Sequence, residues 1–119
     1  MKDRDYLAHI SKAIEEVRQM TAGVDRAQYL ADIRIQRALE REIQIIGDAV
    51  HKLSPELVDA HPDIDWKRIY AARNVVVHAY WGVDQEILWD VVETKLEPLY
   101  AKVTELLAGE ASDAEPGEG

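Results

Sequence analysis

The sequence contains no cysteine, which excludes disulfides and thiolate metal sites. Nowhere does it approach the roughly 18 uninterrupted apolar residues of a membrane-spanning helix. Met1-Lys2-Asp3-Arg4-Asp5 has none of the apolar run of a signal peptide, so a cytoplasmic location without membrane contact is expected. Repeats are missing, and so are convincing strands. Positive charge is scarce: 14 Lys and Arg stand against 23 Asp and Glu, for a net charge of −9. That balance excludes an extended basic surface for nucleic acid, and any RNA contact must be a local basic pocket. A basic or nucleotide-handling partner fits the balance equally well. His9, His51 and His61 show no metal-ligand spacing, so they are read as surface residues, and neither metal nor cofactor is expected.

What is present describes a soluble globular protein, 47% apolar and 31% charged. At 119 residues the chain makes one domain, near the size at which a partner completes the core. Apolar residues recur with helical period throughout. Leu7, Ile10, Ile14, Val17 and Thr21 mark a helix over residues 3–22 that Gly23 can terminate. Asp25 can cap a second helix running to about Leu53, with a stripe of Tyr29, Ile33, Gln36, Leu39, Ile43, Ile46, Val50 and Leu53. Ile35, Ala38, Ile45 and Ala49 widen that stripe beyond what one neighbour covers, which points to central burial or a subunit interface. Gly47 inside this helix costs about 1 kcal/mol against alanine, so a close helix approach is its expected reason.

Ser54-Pro55-Glu56 opens a short helix that Pro62 ends. Asp65 caps the next, with Trp66 just inside it and Gly82 at its close. Asp84 caps the last helix, whose stripe is Ile87, Val91, Leu96, Leu99, Val103 and Leu106, with a kink or break near Thr94–Glu97 ahead of Pro98. Trp81 and Trp89 are read as packing residues. The expected fold is therefore all-α, an up-down bundle of four to five helices over residues 1–108. Residues 109–119 form a disordered acidic tail in this reading, because Glu110, Asp113, Glu115 and Glu118 lie there without a single Lys or Arg.

One stretch is not explained by periodicity. Ala71-Ala72-Arg73-Asn74-Val75-Val76-Val77-His78-Ala79-Tyr80 crowds a guanidinium, an amide, an imidazole and a phenol beside three valines. At about 100° per residue, with Arg73 at zero, Asn74 falls near 100°, His78 near 140° and Tyr80 near −20°. Ile69, Ala72, Val75, Val76 and Ala79 occupy the complementary arc and form a core stripe. Arg73 supplies a fixed cation that can hold a phosphodiester and stabilise charge on phosphorus. His78 can take a proton from a ribose 2′-hydroxyl or return one to the 5′-oxygen. Asn74 can orient the imidazole, and Tyr80 stands at the rim. A second acid or base is still required, and two-fold pairing of the chain with its copy supplies it. Taken singly, Arg73 is as well read as an ion-pair partner of Asp65 or Glu86, His78 as a helix-end histidine, and Tyr80 as an interfacial aromatic.

Arg73-Asn74-Val75-Val76-Val77-His78 fits the Arg-x4–6-His signature of the HEPN ribonuclease superfamily, and with Tyr80 it resembles the HepT toxins. Arg41-Glu42-Ile43-Gln44-Ile45-Ile46-Gly47-Asp48-Ala49, Pro62-Asp63-Ile64-Asp65-Trp66 and Gly82-Val83-Asp84 with Trp89 extend the likeness over roughly residues 5–107. The resemblance implies a HEPN-like helical homodimer that cleaves RNA without metal as the toxin of a toxin–antitoxin pair. It implies catalytic roles for Arg73 and His78 and a supporting role for Asn74. It also implies that Tyr80 receives AMP from an MNT-type nucleotidyltransferase antitoxin, MntA-like. A different class of function, a non-catalytic HEPN module that binds nucleotide or pairs with a nucleotidyltransferase, is the alternative.

Overall fold

Seven helices make up the computed structural model, which describes residues 2–118 and side chains as far as 109. Helix α1 (Asp3–Thr21) buries Leu7, Ile10, Ile14 and Val17 and ends ahead of Gly23, whose φ of 74° is the left-handed conformation open to glycine. The single helix expected between Asp25 and Leu53 is two. Helix α2 (Arg26–Ala31) starts at its cap Asp25, and helix α3 (Ile33–Lys52) starts at a second cap, Asp32. The Asp32 carboxylate accepts from the backbone N–H of Arg34 at 2.9 Å and of Ile35 at 3.4 Å. A helix start is thus satisfied in the middle of an unbroken apolar period.

Gln36, the polar member of that period, donates its amide to the carbonyls of Tyr29 and Leu30 at 3.1 and 3.0 Å, satisfying the end of α2. Ile33, at the break itself, is 60% exposed and leaves the expected stripe. Leu39, Ile43, Ile46, Val50 and Leu53 remain in the core.

Helix α4 (Pro55–Ala60) begins at Ser54, which also binds Asp3 of α1 through its N–H at 2.8 Å and its hydroxyl at 2.6 Å. Helix α5 (Trp66–Val77) is capped by Asp65, and helix α6 (Gln85–Thr94) by Asp84. Helix α7 (Leu96–Glu118) follows after Lys95. The break before Pro98 lies where expected, because proline has no N–H to offer the Thr94 carbonyl. The expected tail, 109–119, lies almost wholly outside the residues whose side chains are described.

The all-α reading holds: the five expected helical segments become seven because two of them are divided. Helix α3 is the centre, packed against α1 on one side and α5 on the other, with α7 behind α1 and α6 bridging α5 and α7. Tyr29 and Trp89 stack at 4.9 Å in the core, and the Tyr29 hydroxyl donates to Gln85. Trp89 is the packing residue expected. Trp81 is not: it is fully exposed in the turn after α5, where no helix carries it toward the core.

Candidate active site

The site begins with a missing side chain. Gly47 sits where α3 meets α5, and a Cβ there would lie 2.2 Å from Arg73 Cβ and 2.7 Å from its Cγ. Only glycine lets the two helices close to this separation. The neighbouring residue on α3, Asp48, then reaches the arginine: Arg73 Nε donates to Asp48 Oδ1 at 2.7 Å. From its own helix, Asn74 Oδ1 accepts from Arg73 Nη1 at 3.0 Å. The Arg73 side chain is 22% exposed and that of Asp48 is 40% exposed, so this pair is partly shielded from water and worth more than a surface pair. Two edges of the guanidinium are committed. Its Nη2 edge makes no hydrogen bond among the described residues.

Arg73 therefore pairs with neither Asp65 nor Glu86, the partners open to it from sequence. Asp65 binds Lys95 at 3.3 Å, and Glu86 binds Arg26. Two aromatic rings extend the site along the α3–α5 seam. The Arg73 guanidinium carbon lies 5.6 Å from the centre of the Tyr70 ring. That ring stacks on His51 of α3 at 4.5 Å, with the planes 12° apart.

Beyond Arg73 the helical extrapolation ends early. Val77 is the last residue of α5, and His78 is its C-cap, with φ −105° and ψ 26°. The His78 N–H donates to the Asn74 carbonyl at 3.0 Å, so the backbone joins the two residues. Its imidazole is exposed and makes no hydrogen bond or ion pair among the described residues. Tyr80 does not return to the Arg73 side by helical rotation, because residues 78–82 form a turn. There the Tyr80 N–H binds the His78 carbonyl at 3.0 Å, and Gly82 takes a φ of 113°. Tyr80 is 83% exposed. Arg73 and Asn74 are thus brought together, His78 follows them at the helix end, and Tyr80 stands out in solvent.

Periodicity did not single out Asp48, His51 or Tyr70. A usable signal was the Gly47-Asp48 pair, a glycine marking close approach with a carboxylate one residue later. Among the described residues, no group of three or more His, Asp or Glu side chains is arranged to hold a metal.

Comparison with known proteins bears on what such a site does. The family model described as Ribonuclease HepT-like matches residues 10–106. A protein of Thermococcus cleftensis named "Probable ribonuclease HepT" is 33% identical over 103 residues, which span 87% of this chain and 94% of the relative. One of Caldanaerobacter subterraneus subsp. tengcongensis, named "Putative RNase", is 32% identical over 107 residues, 90% of this chain and 96% of the relative. The chain belongs to the HepT-like ribonuclease family. The region matched by the HepT-like model takes in the whole α3–α5 seam, so Gly47, Asp48, Arg73, Asn74, His78 and Tyr80 all lie inside it. No solved structure gives a significant match.

Proposed function

We propose that this HepT-like protein is a metal-independent endoribonuclease, the toxin of a toxin–antitoxin pair, with Arg73 and His78 as its catalytic residues. The observation that carries the reading is the Arg73 guanidinium. Asp48 and Asn74 hold it from two sides, its Nη2 edge is left for an anion, and an exposed imidazole stands at the end of the same helix.

The reaction is a transesterification. The ribose 2′-oxygen attacks phosphorus and passes its proton to an imidazole, while the bond to the 5′-oxygen breaks and that oxygen takes up a proton. The products are a 2′,3′-cyclic phosphate and a 5′-hydroxyl. Arg73 holds the non-bridging oxygens and offsets their charge as the phosphorus becomes five-coordinate. Asn74, whose amide oxygen accepts from Arg73 and makes no bond to the His78 imidazole it was expected to orient, keeps the guanidinium turned toward the phosphate. One imidazole cannot serve both oxygens at once, so a homodimer placing His78 of a second copy across the cleft supplies the other proton transfer.

The exposure of Tyr80 supports its role as the site where an MNT-type nucleotidyltransferase antitoxin attaches AMP. A bulky anion at Tyr80, two residues from His78, would repel the RNA backbone. Action in the cytoplasm belongs to the same reading. Among the described residues no helix is long and apolar enough to cross a membrane.

The test is incubation of the purified protein with total RNA in EDTA, beside Arg73→Ala and His78→Ala. Cleavage by the wild type that both substitutions abolish is the expected result. Intact RNA in every lane would favour a non-catalytic nucleotide-binding module. Supplied with the cognate transferase and ATP, the protein gains mass in multiples of AMP, and Tyr80→Phe prevents the gain. Added mass that persists in that variant places the modified residue elsewhere.

A further inference from the structure

A cavity of about 300 Å³ opens between α3, α4 and α5. Val50, Leu53 and Val58 give it an apolar floor, and the rings of Trp66, Tyr70 and His51 form its walls. Asp59 and Lys67, both exposed, stand at its rim. Its volume is at the lower end of pockets that hold small ligands, roughly 300–1,000 Å³.

The position of the cavity matters more than its size. Tyr70 is shared: its ring lines the cavity, stacks on His51 at 4.5 Å and lies 5.6 Å from the Arg73 guanidinium carbon. On α5, Trp66, Tyr70, Arg73, Asn74 and Lys67 fall within an arc of about 120° at the helical rotation of roughly 100° per residue. The cavity and the guanidinium are two ends of one seam.

We infer that this cavity is a subsite for a nucleobase of the RNA strand, belonging to the nucleotide whose phosphate lies at Arg73; the inference rests on the ribonuclease reading above. Three features select a base over other occupants. The walls are flat π surfaces, on which any base stacks. The rim pairs an acceptor-only carboxylate with a donor-only ammonium, matching the mixed donor and acceptor edge of a base. The seam leads directly to a guanidinium suited to the attached phosphate. In a protein of net charge −9, stacking also supplies the affinity that long-range attraction cannot.

Amide NMR spectra of the wild-type protein, titrated with cytidine 3′-monophosphate and separately with inorganic phosphate, test the assignment. The amides of His51, Lys67 and Tyr70 move with the nucleotide and not with phosphate. In RNA cleavage, His51→Ala raises KM roughly tenfold with kcat little changed, and His51→Phe, which keeps a ring over Tyr70, restores it. His51 is exposed, and Lys67→Ala, also at an exposed position, raises KM in the same direction without touching the core.

A wild-type protein that cuts RNA while the nucleotide leaves these amides unmoved overturns the subsite alone. Wild type that cuts no RNA overturns the ribonuclease reading and, with it, the assignment of the cavity to substrate. Amides that shift with protein concentration and not with nucleotide show the cavity covered by a second copy, which also overturns the subsite.

Discussion

Asp48 holds Arg73 by a single charge-assisted bond at 2.7 Å, and that bond, with the one to Asn74, leaves the Nη2 edge of the guanidinium uncommitted. Replacing it with Asp48→Asn keeps the volume and removes the charge. With Arg73 in the catalytic role proposed above, the expected result is a fall in kcat/KM for RNA of roughly ten- to hundredfold, because a small misplacement of such a group is costly. Unchanged kinetics would show that Arg73 is positioned without it.

Glu42 poses the opposite problem. It is buried on α3, and burial, with Glu16 nearby, holds its carboxyl above the usual carboxylate range. A raised folded-state pKa in an acid means that ionisation opposes folding at neutral pH. That penalty disappears once the pH is below the ordinary glutamate value of about 4.3. Glu42→Gln should therefore stabilise the protein at pH 7, measured by urea denaturation, and the gain should vanish near pH 4. At this scale the sequence exposed the chemistry-bearing types, Arg73, Asn74 and His78, because they broke the apolar pattern. It did not expose Asp48, whose role depends on which helix lies opposite.

Among the elements, the α3–α5 contact decides the site. Gly47→Ala places a methyl group 2.2 Å from Arg73 Cβ, the side-chain atom bonded directly to the α5 backbone and not the loose end of a side chain. Overpacking of this kind typically costs about 1–3 kcal/mol. Loss of stability in thermal or urea unfolding, together with reduced RNA cleavage, is expected. Full stability would mean that the helices separate freely.

Periodicity and caps made most elements legible, with Asp25, Ser54, Asp65 and Asp84 all standing at helix starts. The division at Asp32 was hidden because Tyr29 and Ile33 keep a four-residue spacing across it. Asp32→Ala should cost about 1 kcal/mol through the lost cap.

Acid acts on the caps and ties as well. Asp65 lies below the usual range through its bond from the Arg68 N–H and then through Lys95, and Glu97 does so through Arg18. A lowered folded-state pKa means that their support is present above the ordinary carboxylate values near about 4. It is lost as the pH falls through the lower folded values. Cooperative unfolding should weaken in that acid window, read by helical circular dichroism against urea.

For the molecule as a whole, α3 acts as a spine with α1 on one side and the Arg73-bearing α5 on the other. The all-α class was legible because nearly every apolar residue obeys one period. The course after Val77 was not, since a rotation carried past a helix end assigns Tyr80 and Trp81 to faces that no longer exist. Family membership and the geometry of Arg73 converge on RNA as the substrate, against the acidic balance of the chain. The strongest check of that convergence is mass spectrometry of the ends produced when the purified protein meets a defined oligoribonucleotide in EDTA. The account predicts a 2′,3′-cyclic phosphate and a 5′-hydroxyl, both lost in Arg73→Ala and in His78→Ala. Intact RNA, 5′-phosphate ends, or undiminished cleavage by either variant would contradict it.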